Sequence, residues 1–389
     1  MSHHRAIAAV FAVHGAVAGS MATRIPWIQD QLHLSPAALG LGMLCPPIGA
    51  FVAMPMAGRL AHRFGGRAAT RVLLALWCAG LALPALSPAP VWLYATLLLY
   101  GASAGMCDVV MNAQGVVLER RLGKPIISGL HGMWAVGSLA AGGLGTLAAH
   151  AGVDARLHLS VVSAALLALG GLAGRGLLRD DSPAGSPAPR RFALPGRGIL
   201  ALGLVGFCGT FAEGASSNWA AVYLTEVTDS GPGAAAAGYT VFMLCMAAAR
   251  LAGDRAVRLL GPVRAVRAGG GLAVVGGVLV VAARTPVLGI AGFALLGVGV
   301  AVIVPLVFAA AGHAGRTPDE GVAGIATITY LSGLVAPAVV GWVAGGLSYP
   351  VAFALITCVA VALTLLAPVL RPKPEVRDTL PSERLVHRR

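Results

Sequence analysis

Two acidic side chains, Asp108 and Glu213, stand inside long apolar stretches of the sequence, where a charged group is costly. If residues 91–119 form one helix, Asp108 lies about 16 Å from its basic end, near the middle of a bilayer core about 30 Å thick. A carboxylate at that depth costs roughly 2.5 kcal/mol or more, so it should face a bundle interior or a wet cavity. We therefore predict that both acids serve as proton-coupling groups. For Asp108 the alternative is a structural residue held by neighbouring polar groups. For Glu213 the alternatives are a hydrogen-bond acceptor for a solute and a structural residue that holds helices together.

Polar and aromatic side chains accompany these acids. Asn112 lies one helical turn after Asp108, and Ser217 one turn after Glu213, each on the same face as its acid. Aromatic rings stack on sugar rings, while amide, hydroxyl and guanidinium groups bind their hydroxyls. An interfacial aromatic belt or a snorkelling arginine is the alternative for some of them. The predicted solute-binding side chains are Arg24, Asn112, His131, Trp134, Ser217 and Trp219.

The composition predicts an integral membrane protein. Of 389 residues, 57% are hydrophobic and 11% are charged, whereas soluble domains carry about 25% charged residues. The net charge of +13 could indicate nucleic-acid binding, but its placement argues against that function. Of the 28 Lys and Arg residues, we expect all but Arg24, Arg156 and Arg284 in cytoplasmic loops, which is the positive-inside pattern. We expect a bacterial cytoplasmic (inner) membrane protein with both termini in the cytoplasm.

The apolar segments predict an all-α fold of twelve transmembrane helices in two pseudo-symmetric six-helix bundles, because each has on the order of 20 residues. A stretch rich in Pro, Ser, Gly and Arg separates the two sets and predicts a linker. The predicted units are an N-terminal bundle at 1–178, a cytoplasmic linker at 179–197, a C-terminal bundle at 198–370 and a cytoplasmic tail at 371–389. The predicted spans are 6–30, 37–60, 70–88, 91–119, 127–149, 157–178, 198–226, 233–253, 263–283, 286–312, 320–346 and 348–370.

The two sets of spans resemble each other. Gly101 and Gly297 lie 196 positions apart, and the Gly-Arg turn near Gly65 resembles the turn near Gly261 at the same offset. Internal repeats of this kind occur in transporter folds built from six-helix halves. Chance similarity between glycine-rich helices is the alternative.

The loop after the second span has a recognisable pattern of glycines and basic residues, formed by Gly58, Arg59, Arg63, Gly65 and Arg67. It resembles the loop signature of the major facilitator superfamily. The sequence departs from that signature at His62, where an acid is expected. The second copy, Arg250 to Arg255, keeps the acid as Asp254, which we expect to cap the next helix and to pair with arginine. These residues are the predicted gating motif.

Three further stretches resemble the fucose-permease-like branch of that superfamily: Asp108 to Gln114, Ser128 to Trp134, and Glu213 to Leu224. The resemblance implies that helices 1, 4, 7 and 10 line a central cavity and that two halves rock around it. It also implies a monomer that carries a small molecule.

Together these features predict a proton-coupled symporter that moves a small polar solute, such as a sugar, by alternating access. The alternatives are an exporter of hydrophobic or drug-like compounds and a membrane receptor that transports nothing. The sequence has no GxxxxGK[ST] motif for ATP use and no spacing typical of a catalytic triad or a metal site. We therefore expect no enzyme activity, no cofactor and no metal.

Overall fold

The computed structural model describes residues 2–179, 197–315 and 317–371, which fold as helices joined by short turns. No β-strand occurs within these ranges, and the predicted all-α fold is confirmed. Residues 180–196 of the predicted linker and 372–389 of the predicted tail lie outside the described residues. The helices are α1 (His3–Ala22), α2 (Ile25–Gln31), α3 (Pro36–Phe64), α4 (Gly66–Gly80), α5 (Pro90–Leu122), α6 (Ile127–His150), α7 (Ala155–Gly174), α8 (Arg197–Thr228), α9 (Pro232–Leu260), α10 (Pro262–Ala282), α11 (Pro286–Val300), α12 (Ile303–Ala314), α13 (Pro318–Gly346), α14 (Tyr349–Leu366) and a final 3-10 turn (Ala367–Leu370).

Ten helical stretches among the described residues are long and apolar enough to cross a membrane. One of them joins α11 and α12 into a single crossing, Pro286–Ala314. Helices α4, which has 15 residues, and α9, whose last turns carry several charges, are not among the ten. With the seven-residue α2 set aside, the described helices follow the twelve predicted spans in order.

The first half (α1–α7) and the second half (α8–α14) use the same helix pairing. In the first half α1 packs on α6, α3 on α5, and α4 on α7. In the second half the corresponding pairs are α8 with α13, α9 with α11, and α10 with α14. This agreement supports the internal repeat inferred from the sequence.

Close glycine contacts repeat in the same register. A Cβ atom added at Gly101 of α5 would overlap the carbonyl oxygen of Pro46 in α3. A Cβ atom added at Gly297 of α11 would overlap the carbonyl oxygen of Phe242 in α9. Pro46 and Phe242 are separated by the same 196 positions as the two glycines. The repeat therefore extends to the positions where the helix backbones touch.

The crossing that corresponds to the tenth predicted span, Pro286–Ala314, is broken between α11 and α12, and Pro305 explains the break. Proline has no N–H, so the carbonyl group four residues earlier, that of Ala301, loses its helical partner. Residues 301–302 form a turn at this point. The helix is therefore broken at this point, and one backbone oxygen is left available to another side chain.

One end of the bundle, called here the basic face, collects the ends of α3, α5 and α9 and the start of α6. Basic side chains such as Arg63, Arg121, Lys124 and Arg258 lie there. At this face the two halves touch: α6 packs on α9, and Arg120 of α5 donates a hydrogen bond to the carbonyl oxygen of Gly312 in α12. Helices α3 and α13 form a second contact between the halves.

Candidate functional site

A hydrogen-bonded chain of three side chains links α5 to α6. The amide nitrogen of Asn112 donates to Oδ1 of Asp108 at 3.1 Å and to the Asp108 carbonyl oxygen at 2.9 Å. The amide oxygen of Asn112 lies 3.1 Å from Nε2 of His131. Because that oxygen can only accept, the proton of His131 is on Nε2 in this arrangement. Asp108 and Asn112, predicted to share a helix face, are therefore joined here by His131, which was predicted separately.

The ring of His131 lies where the two halves meet. Its centroid is 5.5 Å from that of Phe11 in α1 and 5.8 Å from that of Phe308 in α12. Phe308 belongs to the second half, so a movement of the halves apart would separate this pair. The Asp108–Asn112–His131 chain thus connects a carboxylate to the boundary between the halves.

The second acid, Glu213 of α8, is held by a buried arginine. Nη2 of Arg250 donates to Oε2 of Glu213 at 2.7 Å, and the side chains are 4% and 23% exposed respectively. Nε of Arg250 donates to the carbonyl oxygen of Ala301 at 3.1 Å. This is the oxygen released by Pro305, so one guanidinium group ties α8, α9 and the α11–α12 break together.

The Asp108 chain and the Glu213 pair lie on helices that pack together across the boundary. Ser128, one turn before His131 in α6, donates to the carbonyl oxygen of Arg250 in α9 at 2.9 Å. His131 and Arg250 therefore lie on neighbouring turns of two packed helices. The arrangement can therefore hold protons and polar solute groups at a place that both halves contribute to.

Arg250 is a correction to the sequence analysis, which placed it in a cytoplasmic loop with all but three of the basic residues. It lies instead inside α9 and is buried. Helix α9 continues through Gly253 to Leu260. It ends before Gly261, which has a φ of 75°, a conformation that does not continue a helix. The sequence did contain a signal for this position. A charged group inside an apolar span needs a partner inside the membrane, and Glu213 and Arg250 carry opposite charges in neighbouring apolar spans.

The remaining predicted residues of α6 and α8 have other contacts. The indole Nε1 of Trp134 donates to Nδ1 of His14 at 3.0 Å, so this ring is held against α1. The hydroxyl group of Ser217 donates to the carbonyl oxygen of Gly214 at 3.1 Å within its own helix. Trp219 lies beside Tyr349, with ring centroids 6.1 Å apart. Its buried indole nitrogen has no hydrogen-bond partner among the described residues, so it can still donate to a solute.

Arg24 does not lie with the Asp108 chain. It is 2% exposed at the end of the bundle opposite the basic face, where its Nε donates to Nδ1 of His158 at 3.1 Å. Its Nη1 donates to the carbonyl oxygen of Val153 at 3.2 Å. The snorkelling arginine considered as an alternative from the sequence does not match these contacts. The structure gives Arg24 a place between α2 and α7 of the first half.

The predicted gating residues fall on the basic face. Gly58, Arg59 and Arg63 lie in the last two turns of α3. Gly65 turns the chain into α4 with a φ of 82°, a conformation that favours glycine. Nη2 of Arg67 donates to the carbonyl oxygen of Arg175 at 2.6 Å, which joins α4 to the end of α7.

Asp254 joins the two halves instead of capping the next helix. Its Oδ2 accepts a hydrogen bond from the backbone N–H of Gly129 at 2.9 Å. Beside it, the hydroxyl group of Ser128 donates to the carbonyl oxygen of Arg250 at 2.9 Å. The first turn of α6 has backbone N–H groups without helical partners and a partial positive charge, and a carboxylate satisfies both. The expected capping of α10 is therefore wrong, because Asp254 lies inside α9 and faces α6.

Comparison with known proteins agrees with this architecture. The sequence profile of the Major Facilitator Superfamily matches residues 7–329. An uncharacterized MFS-type transporter of Yersinia pestis is 33% identical over 360 residues, which cover 92% of each chain. The crystal structure of the E. coli fucose:proton symporter superposes with a TM-score of 0.72 at 15% identity, covering 95% of this chain and 98% of that one. The human organic anion transporter MFSD10 gives 0.72 at 16% identity, with 94% and 100% covered.

Proposed function

The chain belongs to the major facilitator superfamily of membrane transporters, and from this premise we propose that it is a proton-coupled carrier of a small polar solute such as a sugar. The observation that carries the proposal is the hydrogen-bonded chain from Asp108 through Asn112 to His131. His131 lies on α6, the helix that bonds to Arg250 of the other half and so packs beside the Glu213–Arg250 ion pair. Two acids inside apolar crossings are costly unless they bind protons or solute. The structural likeness to a fucose:proton symporter concerns the fold alone, and that fold is compatible with this proposal.

Asp108 is the group we propose to gain and lose the coupling proton. Its carboxylate bonds to a neutral amide, whereas the Glu213 carboxylate bonds to the guanidinium group of Arg250. The charge of Glu213 is therefore better compensated, and protonation at Asp108 is less costly to the bundle. A proton on Asp108 also gives it a donor, which competes for the amide oxygen of Asn112 that His131 now uses.

In alternating access, contacts between the two halves close the solute path on one side of the membrane while the other side is open. We propose that the Gly129–Asp254 and Ser128–Arg250 hydrogen bonds are such contacts and that they hold the basic face closed. With the positive-inside pattern, this face is the cytoplasmic one, which gives both termini a cytoplasmic location in a bacterial inner membrane. We propose a monomer, since each half completes the site with the other.

The test uses the purified full-length chain in proteoliposomes with an imposed pH gradient and a panel of labelled sugars. We expect the gradient to drive accumulation of one class of sugar. Asp108→Asn should abolish gradient-driven accumulation and retain exchange of labelled for unlabelled solute. Asp30→Asn, which removes an exposed acid of α2, is the matched control and should behave like the native chain.

Four outcomes would contradict the proposal. Flux that ignores the pH gradient, or unchanged coupling in Asp108→Asn, would remove the proton step. Transport of hydrophobic dyes without transport of any sugar would favour the exporter. The absence of counterflow for every solute tested would favour a receptor.

A further inference from the structure

We propose that the outer surface of the first half carries a binding site for an anionic phospholipid, in a groove between α4 and α7. Both helices pack on α1 of their own half, and α4 also packs on α5. Their outer side chains, such as Val72 and Leu172, are 55% and 56% exposed, as expected for a surface that faces lipid. The groove is therefore open to the hydrocarbon and separate from the Asp108 site.

The groove has the volume and lining for an acyl chain. A hollow of about 290 Å³ lies between the two helices, and a second one of about 290 Å³ adjoins it toward the basic face. Ala68 and Arg71 line both, so the two hollows adjoin along one groove, called here the channel. Small side chains on both helices create the space, and a Cβ atom added at Gly171 would meet nothing within 4 Å. The apolar part is lined by Val72, Leu74, Ala75, Cys78, Leu166, Leu167, Gly170 and Gly171.

The channel runs from the membrane surface to the bilayer middle. Helix α4 begins at Gly66 on the basic face, and Cys78, at the far end of the lining, lies about 18 Å further along the axis. Half of a hydrocarbon core of about 30 Å is about 15 Å. The channel is thus one leaflet deep, which is the reach of one acyl chain.

The surface end of the channel is strongly basic. Arg67, Arg71 and Arg179 line the hollow there, and the backbone of the nearby Arg175 accepts the hydrogen bond from Arg67. The side chains of Arg71 and Arg179 are exposed at the rim. Arginine binds phosphate oxygens through a planar fork of N–H donors, and basic pockets between transmembrane helices bind anionic headgroups. Arginines at the rim and an apolar channel below them match a phosphodiester headgroup with its acyl chain.

The test measures retention of lipid by the full-length chain in detergent, using native mass spectrometry with added phosphatidylglycerol or phosphatidylcholine. We expect phosphatidylglycerol to remain bound in preference to phosphatidylcholine. Binding should weaken about fivefold for each of Arg71→Gln and Arg179→Gln, which corresponds to about 1 kcal/mol per arginine. Gly171→Leu should reduce binding as well, because it fills the channel and keeps every charge.

Matched controls separate this site from general attraction to a basic surface. Arg264→Gln and Arg267→Gln remove exposed charges near the start of α10, the counterpart of α4 in the second half, and should leave lipid retention unchanged. Equal losses in these controls, or undiminished binding in Gly171→Leu, would overturn the proposal. Equal retention of both lipids would overturn the requirement for an anionic headgroup. Displacement of the lipid by inorganic phosphate alone would overturn the role of the acyl channel.

Discussion

Replacing Asp254 with alanine should shift the protein away from the arrangement in which the basic face is closed. Its carboxylate accepts from the N–H of Gly129 at 2.9 Å, and it reaches that atom from the other half of the molecule. When the halves separate at this face, the bond must break. Asp254 therefore stabilises one arrangement and not the other, which is the requirement for shifting an equilibrium between them.

The size of the shift follows from known helix-capping energies. Loss of a capping side chain costs about 1 kcal/mol and up to about 2 kcal/mol, part of which is the attraction of a carboxylate to the helix N-terminus. The neighbouring bond from Ser128 to Arg250 remains in the variant. A loss of about 1–2 kcal/mol changes the ratio of closed to open molecules by about 5- to 30-fold.

The assay is a distance measurement between spin labels at Lys124→Cys and Leu259→Cys, exposed positions on the two halves, in a chain without its six native cysteines. Asp254→Ala should raise the fraction of long distances. Glu119→Gln is the control, because Glu119 accepts from the N–H groups of Ile126 and Ile127 at 2.8 and 3.2 Å within the first half. It should lower stability without changing the distances. An unchanged distribution in Asp254→Ala, or an equal shift in the control, would refute the reasoning.

Three further predictions concern stability, measured by thermal unfolding of the purified chain. Glu213→Ala should lower the free energy of unfolding by about 3 kcal/mol, since Arg250 is left buried without its counter-ion. Adding Arg250→Met should restore much of that stability. If the double variant instead loses the sum of the two single losses, the two side chains do not stabilise the fold as a pair. Gly101→Leu should prevent stable folding, since its side chain would overlap the Pro46 backbone, and native-like stability would contradict that contact. Trp134→Phe should cost about 1 kcal/mol through its lost bond to His14, and no change would contradict that bond.

Helical periodicity was sufficient to predict the first part of the candidate site. Residues four apart share a helix face, so Asn112 could be placed beside Asp108 before any coordinates were known. That His131 completes the chain depends on the packing of α5 against α6 at one register. A single sequence does not specify that register, so His131 was predicted as a solute contact and not as the partner of Asn112.

Arg250 shows where reasoning from the sequence failed. Positively charged residues near the end of an apolar span are usually assigned to the loop that follows. That rule counts charges along the chain and does not consider a partner in another helix. Glu213 is 37 residues earlier, and only the packing of α8 on α9 brings the two together. The hydrogen bond between Arg24 and His158 was missed for the same reason, because the two residues are 134 positions apart in the sequence.

The break between α11 and α12 makes the two halves mechanically unequal. The fourth crossing, α5, runs without interruption for 33 residues, whereas its counterpart consists of pieces of 15 and 12 residues. Phe308, which touches His131, lies on the shorter piece. The position of Phe308 relative to His131 therefore depends on the angle between two short helices. The backbone of α5 has no such joint, so Asp108 and Asn112 keep a fixed separation along one continuous helix.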